Sequence, residues 1–334
     1  MLLPMKKNIL LLILISFVIG IFSGLGIHKL FKKPKSNQFT VIRKTGYKYT
    51  SPLLYLDVPQ NNTDFVKKLN SDLLSYVKDA FLKGLAQNVS IYLRFPQLPD
   101  WTEINGDQLY SPASLLKVPV MMLYFKQSEF NPTILSKNLK YDIENDNQKT
   151  NYKPKEEMVK GKSYPISDLI RRMIVYSDNT AEDILTMNVN KQDFDQVFDD
   201  MQIDRFNYDH QENSMDVKTY SYFFRVLYNS TFLNRNISDQ ALKLLTQTTF
   251  TKGIVGGVPK GIDVAHKFGE RYFLDSGSTQ LHDCGIVYFP RSPYVLCVMT
   301  RGNSFANLEK VLREISKITY DSTLAESKKN NEQK

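Results

Sequence analysis

Cysteine is scarce in this chain of 334 residues. Only Cys284 and Cys297 occur, with no C-x-x-C pair and no Cys/His cluster at metal-ligand spacing. This scarcity argues against a structural zinc site, a covalently attached haem and a disulfide-dense secreted module, so we expect no metal and no cofactor. Both cysteines fall on a predicted hairpin near the C-terminus, where we expect buried thiols in a sheet.

Outside the first 35 residues, the chain has almost no excess of positive charge. The formal net charge is +8, but six lysines lie within the first 35 residues. The rest of the chain carries about +2, which argues against nucleic acid as a partner. With 42% hydrophobic and 12% aromatic residues, the chain has enough apolar material for one large or two small cores.

Long apolar runs are missing except at residues 9–27, which contain nineteen residues without a charge. This length nearly spans the hydrocarbon core of a bilayer. A cleaved signal peptide has the same basic start and apolar run, but no A-x-A cleavage site is visible, so we favour an uncleaved anchor. Lysines after the run outnumber those before it, and the positive-inside rule alone would place the body in the cytoplasm.

The predicted secondary structure places strands near both ends of the remaining chain and helices between them. Such an order predicts an α+β fold, in which an antiparallel sheet has flanking helices and a helical subdomain. The predicted domains are a short cytoplasmic start at 1–7, an anchor at 8–28, a tether at 29–62, a catalytic-sized domain at 63–322 and a polar tail at 323–334. The predicted elements are a helix at 64–83, a strand at 89–95, a turn at 105–106, a helical block at 111–234, strands at 262–268, 285–290 and 294–300, and a helix at about 304–320.

The most informative motif is S-x-x-K at Ser114 and Lys117. Ser111 is predicted as the N-cap and Pro112 as the first helical residue, so that Ser114 and Lys117 lie one turn apart on the same helix face. A serine hydroxyl becomes a nucleophile when a neighbouring base takes its proton, and a neutral lysine can be that base. The alternative is a capped helix with a solvated lysine.

Two further motifs follow in the chain. Ser177-Asp178-Asn179 interrupts an apolar helical face, either as a simple helix boundary or as a site where Ser177 relays a proton and Asn179 binds substrate. Lys267 and Gly269 lie at the end of a predicted strand. The glycine would let a substrate backbone approach the strand edge, and the lysine would attract a carboxylate.

With the motifs S-x-x-K, S-D-N and K-x-G in this order, the chain resembles the class A β-lactamase and penicillin-recognising serine hydrolase family from about residue 64 to 320. The resemblance implies that Ser114 is acylated and that Lys117 accepts its proton. It implies a β-lactam or a peptidoglycan-like amide as substrate, and therefore an extracytoplasmic, membrane-anchored enzyme, which we expect to be a monomer. The other residues that it implies are Ser177 as proton relay, Asn179, Lys267, Gly269 and Glu270 as substrate-binding residues, and the backbone N–H groups of Ser114 and Glu270 as oxyanion hole.

The sequence departs from the family pattern at two places. Phe268 stands where the family has threonine or serine, and a phenyl ring cannot donate a hydrogen bond to a substrate carboxylate. The E-x-x-L-N motif, whose glutamate activates the deacylating water, is missing, and Glu212 is only a doubtful substitute. Glu212 is explained more simply as an acidic residue that is favoured beside the N-terminus of a helix than as a relocated base. We therefore expect slow deacylation.

Other functions remain open at the level of sequence. A membrane-anchored penicillin-binding sensor or binding module and a D,D-peptidase would carry the same motifs. A catalytically dead wall protein is disfavoured because five residues of the three motifs are retained together: Ser114, Lys117, Ser177, Asn179 and Lys267. His282 and Asp283, just before a predicted strand, could form a turn-capping pair or line the cleft, and we favour the turn-capping pair.

Overall fold

The computed structural model describes residues 40–43, 46, 48–50, 53–57, 63–98, 100–144, 147, 150–201, 203 and 214–332, with backbone only for 40–43 and 53–57. The predicted anchor and most of the predicted tether lie outside these residues. The described residues from Val41 onward belong to one compact unit. In the part of the chain that is described, no helix is both long enough and apolar enough to cross a bilayer.

A five-stranded antiparallel sheet forms the centre of this unit, in the order β4-β3-β9-β8-β7. Two small two-stranded sheets, β1-β2 and β5-β6, accompany it. The predicted fold class, an antiparallel sheet with flanking helices and a helical subdomain, is confirmed. The strands are β1 (Thr40–Arg43), β2 (Leu53–Asp57), β3 (Asn88–Arg94), β4 (Trp101–Ile104), β5 (Asn138–Lys140), β6 (Ser163–Pro165), β7 (Val264–Tyr272), β8 (Thr279–Val287) and β9 (Tyr294–Gly302).

Helices cover both faces of this sheet, because successive side chains along its strands alternate between two apolar clusters. In β9, Leu296 and Val298 join the cluster of the first and last helices, whereas Cys297 and Met299 join the cluster of the helical subdomain. The helices are α1 (Asp64–Leu82), α2 (Lys117–Phe130), α3 (Ile166–Val175), α4 (Asn179–Met187), α5 (Lys191–Asp200), α6 (Val217–Asn229), α7 (Arg235–Leu245) and α8 (Phe305–Glu332), with short 3₁₀ helices at Ala113–Leu116, Pro132–Ser136 and Ile254–Gly257.

Helix α2 is the central helix of the subdomain. It is buried on all sides from Lys117 to Phe125, as expected for a helix that is apolar around its whole circumference. Pro119 lies in its first turn, where a missing N–H costs little, and the helix continues to Phe130. The first residue of this helix, Lys117, is therefore held in the interior of the protein.

Strand β8 corrects two predictions from the sequence. It begins at Thr279 rather than 285, so His282 and Asp283 are buried strand residues and not a turn-capping pair. Cys284 pairs directly with Cys297 across β8 and β9, and the two form a disulfide, so the predicted buried thiols are wrong. The last helix also continues to Glu332, past its predicted end near residue 320.

Candidate active site

Ser114 lies in the 3₁₀ helix that precedes α2. The predicted N-cap role of Ser111 is wrong, because the residue before this helix is Pro112 and no side chain caps it. Strand β8 holds the turn instead: the Ser111 N–H donates to Gln280 Oε1 at 3.0 Å, and the Ser111 carbonyl lies 3.0 Å from His282 Nε2. Ala113, directly before Ser114, has a φ of 48°, a left-handed conformation that a non-glycine residue adopts only under local constraint.

The Lys117 amine is fully buried and faces Ser114. Its Nζ lies 2.9 Å from Ser114 Oγ, 2.7 Å from the Ser177 carbonyl oxygen and 2.6 Å from Asn179 Oδ1. The alternative of a solvated lysine is therefore wrong. The nitrogen is surrounded by oxygen atoms, one of which belongs to the candidate nucleophile.

The S-D-N segment connects α3 to α4, and its three side chains have different tasks. Asp178 is the N-cap of α4 and accepts from the Ala181 N–H at 3.1 Å. Ser177 has a φ of 56°, and this turn directs its hydroxyl to 3.3 Å from Lys117 Nζ. The helix-boundary interpretation is therefore confirmed for Asp178, whereas proton relay by Ser177 and substrate binding by Asn179 stay predictions.

Lys267 reaches the same hydroxyl from β7. It is fully buried, and its Nζ donates to Ser177 Oγ at 2.8 Å and to the Phe268 carbonyl at 2.8 Å. Burial lowers the pKa of Lys267 well below its ordinary value, and repulsion from Lys117 lowers it further. The Ser177 hydroxyl therefore lies between two lysine amines.

Close packing requires a glycine at position 269, which the sequence did not indicate. A Cβ at this position would lie 2.8 Å from the Pro112 carbonyl oxygen and 3.2 Å from the Leu115 nitrogen. Its missing side chain lets β7 approach the turn that carries Ser114. The predicted role, close approach of a substrate backbone, stays a prediction.

The Glu270 side chain has a contact that sequence reasoning missed, since only its backbone N–H was implicated. Its carboxylate accepts from the N–H groups of Asn151 and Tyr152, at 3.1 and 3.0 Å. Burial raises the pKa of Glu270 despite these two donors. The carboxylate fastens β7 to the chain segment that precedes β6.

The Phe268 ring belongs to an aromatic cluster that borders the polar network. The ring is buried and stacks on Phe250 with centroids 4.3 Å apart, and Tyr152 contacts it edge-on. It also lies under Lys267 Nζ, 4.2 Å from the ring centre. Phe268 thus supplies packing at the place where a hydroxyl was expected.

Glu182 is a second acid that sequence reasoning missed. It lies three residues after Asn179 in α4, hence on the same helix face, and its Oε2 is 3.4 Å from Lys117 Nζ. That i, i+3 spacing is the only sequence signal for it, and it gains meaning once Lys117 is known to lie beside α4. Glu212, the doubtful base, lies outside the described residues. Among those that are described, no three His, Cys, Asp or Glu side chains form a group that could hold a metal ion.

The structure therefore brings together the five polar side chains predicted from the three motifs, and their catalytic roles stay predictions. Comparison with known proteins adds that the sequence profile described as the β-lactamase enzyme family matches residues 72–323. No curated protein sequence matches the chain.

Solved structures share the fold. A β-lactamase from Chitinophaga pinensis is 18% identical with a TM-score of 0.64, covering 75% of this chain and 99% of its own. A representative of class A β-lactamase from Bacteroides cellulosilyticus is 17% identical with a TM-score of 0.66, covering 78% and 99%. A PBP-A mutant, solved as an acyl-enzyme complex with penicillin G, is 19% identical with a TM-score of 0.63, covering 78% and 97%.

Proposed function

Because the chain belongs to the β-lactamase enzyme family, we propose that it is a serine hydrolase that forms an acyl-enzyme on Ser114. The substrate is a β-lactam or a peptidoglycan-like amide. The observation that carries this proposal is the contact of 2.9 Å between Ser114 Oγ and the fully buried Lys117 Nζ. The other polar groups around this contact supply the remaining steps.

Proton acceptance requires Lys117 as a neutral amine, and two of its hydrogen bonds suit that form. A neutral amine has two N–H donors and one lone pair. The carbonyl oxygens of Ser177 and of the Asn179 side chain can only accept, and they occupy both donors at 2.7 and 2.6 Å. The lone pair is then left for the Ser114 hydroxyl. As Lys117 takes that proton, Ser114 Oγ bonds to the substrate carbonyl carbon.

Ser177 is placed to relay the proton to the leaving nitrogen. Its Oγ lies within 3.3 Å of Lys117 Nζ and accepts a hydrogen bond from Lys267 at 2.8 Å. A hydroxyl can accept from one neighbour while it donates to another. Ser177 therefore gives its own proton to the leaving nitrogen and receives one from Lys117.

The oxyanion hole of this proposal consists of the backbone N–H groups of Ser114 and Glu270. Its support is the packing of Gly269 against the Ser114 turn, which brings β7 beside that turn. Each such donor contributes about 3 kcal/mol when it meets the tetrahedral intermediate. Lys267 attracts the carboxylate of the substrate by charge, without help from the Phe268 side chain.

Intact mass spectrometry after exposure to a fluorescent penicillin tests acylation. The expected mass increase equals one penicillin and disappears in Ser114→Ala. The control Ser276→Ala changes an exposed serine in the β7–β8 connection and keeps the adduct. Absence of an adduct on the wild-type protein would refute the proposed function.

The adduct alone does not distinguish an enzyme from a penicillin-binding sensor or a D,D-peptidase. The similar PBP-A mutant was solved as an acyl-enzyme complex with penicillin G, which supports acylation and does not separate these alternatives. Release of hydrolysed penicillin favours the hydrolase, and release of D-alanine from a cell-wall pentapeptide favours the peptidase. Deacylation is slow if it depends on a loop glutamate, since the sequence has no E-x-x-L-N motif.

The apolar N-terminal run supports a membrane anchor for the proposed enzyme. The extracytoplasmic side is proposed only because its substrates lie outside the membrane, against the flanking charges. With an uncleaved anchor at 9–27, the mature protein begins at Met1 and stays with membranes through an alkaline wash. A mature N-terminus near Gly24 or Lys29 would contradict the anchor and indicate a signal peptide.

A further inference from the structure

The Glu182 carboxylate is an acid beside the proposed base that no motif accounts for. Its Oε2 lies 3.4 Å from Lys117 Nζ, and Lys117 is its ion-pair partner among the described residues. The side chain is 23% exposed, whereas Lys117 is fully buried. Glu182 therefore lies between the buried amine and water.

The contact lengths around Lys117 leave this carboxylate with hydrogen-bonding capacity. The two short contacts, 2.7 and 2.6 Å, go to neutral carbonyl oxygens, and the contact to Glu182 is the longest at 3.4 Å. A carboxylate has about four acceptor positions. Glu182 can thus accept a proton from a water molecule without first breaking the bonds that hold Lys117.

The distance to the reacting centre is short enough for such a water. Lys117 Nζ contacts both Ser114 Oγ and Glu182 Oε2, so the two oxygens lie no more than about 6 Å apart, which one water hydrogen-bonded to the carboxylate can bridge. The negative charge also compensates the two neighbouring lysines, since it raises the pKa of Lys267 against the effect of burial.

We propose that Glu182 is the general base of deacylation, in place of the missing loop glutamate. This inference rests on the proposed acylation of Ser114. The water oxygen bonds to the carbonyl carbon of the acyl group while its proton passes to Glu182 Oε2. Glu182 passes this proton to the neutral Lys117 amine, the carbon–Oγ bond breaks, and Ser114 Oγ takes the proton from Lys117. The acid product leaves with the second water proton, and the slow deacylation expected from the sequence no longer follows.

Separate measurement of labelling and release of a fluorescent penicillin tests this role. In Glu182→Gln, which removes the base and keeps the shape, we expect labelling of Ser114 within about threefold of wild type and release slower by about 10²–10⁴-fold. Glu144→Gln makes the same change at a side chain that is 96% exposed and leaves both rates unchanged. Wild type releases the label within the assay.

Two results would overturn the proposal while the proposed function survives. One is release at equal rates in wild type and Glu182→Gln, including no release from either. The other is an equal loss of labelling and release, which would make Glu182 only a positioning residue for Lys117. If Glu182→Gln does not fold, Glu182→Asp must label normally and release more slowly. Failure of the wild-type protein to label would instead refute the proposed function itself.

Discussion

Replacement of His282 by glutamine removes a buried imidazole that supports the turn before Ser114. Its Nδ1 lies 3.2 Å from the Thr300 N–H, which can only donate, so Nδ1 is the acceptor and the proton resides on Nε2. That Nε2–H donates to the Ser111 carbonyl at 3.0 Å. Both ring nitrogens are therefore satisfied in the neutral form, and protonation would break the bond from Thr300.

The energetic consequence follows from the shifted pKa. Burial lowers the pKa of His282 from 6.5 to about 3. Between these values the unfolded chain binds more protons than the folded chain, so the free energy of unfolding decreases as the pH falls through this window. At 1.36 kcal/mol for each pKa unit, acidification from pH 7 to pH 4 costs about 3 kcal/mol through His282 alone.

Urea unfolding of wild type and His282→Gln at pH 7 and pH 4 measures this contribution. At both pH values the variant lacks the imidazole that donates to Ser111 and accepts from Thr300, so the free energies of unfolding of the two proteins differ. The wild-type protein should nevertheless lose about 3 kcal/mol more than the variant on acidification, since the other titrating groups are common to both. An equal loss in the two proteins would refute the buried neutral histidine.

Three other changes test the site. Lys117→Arg should abolish labelling of Ser114 by fluorescent penicillin, because a guanidinium cannot accept the proton, and normal labelling would refute the assigned base. Phe268→Thr should lower the free energy of unfolding by about 3 kcal/mol in urea titration, since it empties an aromatic cluster; an unchanged midpoint would contradict that packing. Gly269→Ala places a methyl group 2.8 Å from the Pro112 carbonyl oxygen. It should destabilise the fold by about 1–3 kcal/mol and slow the labelling of Ser114. Labelling at the wild-type rate would show that the turn before Ser114 tolerates the added methyl group.

The fold class and the motif residues could be predicted from the sequence because both depend on local patterns. Strand and helix periodicity predicted the order of elements. The S-x-x-K and S-D-N motifs lie at element boundaries, whereas Lys267 and Gly269 lie inside β7 and not at the end of a strand as predicted. Asp178, for example, is an N-cap that sequence alone suggested, and it fixes the start of the helix that carries Asn179. Local signals of this kind survive folding unless tertiary contacts override them.

The errors arose where polar residues are satisfied by distant partners. His282 and Asp283 looked like turn residues, but the imidazole binds the Ser111 carbonyl and the Asp283 carboxylate accepts from the Ile254 N–H at 2.8 Å. Burial of a polar group is favourable only with such partners, which a local pattern does not reveal. The prediction of free thiols at Cys284 and Cys297 was wrong for a related reason, because the disulfide depends on the register of β8 and β9.

The two acids missed by sequence reasoning depend on a partner across the cleft. Glu182 has the right spacing from Asn179, but that spacing gains meaning only when Lys117 is known to face the same side of α4. Glu270 binds two backbone N–H groups of a segment far away in the chain, for which no residue pattern exists. Acids of this kind can be assigned only after the elements are assembled.

The arrangement of charges gives the two buried lysines different tasks. Ser177 Oγ accepts from Lys267 at 2.8 Å and is 3.3 Å from Lys117, so its single proton is not engaged by Lys267. Lys267 has no described contact with Ser114, whereas Lys117 contacts Ser114, Ser177 and Glu182. A proton removed from the nucleophile therefore has its shortest path through Lys117. In the proposed mechanism Lys267, which lies beside that path with a lowered pKa, orients the hydroxyl that delivers the proton to the leaving group.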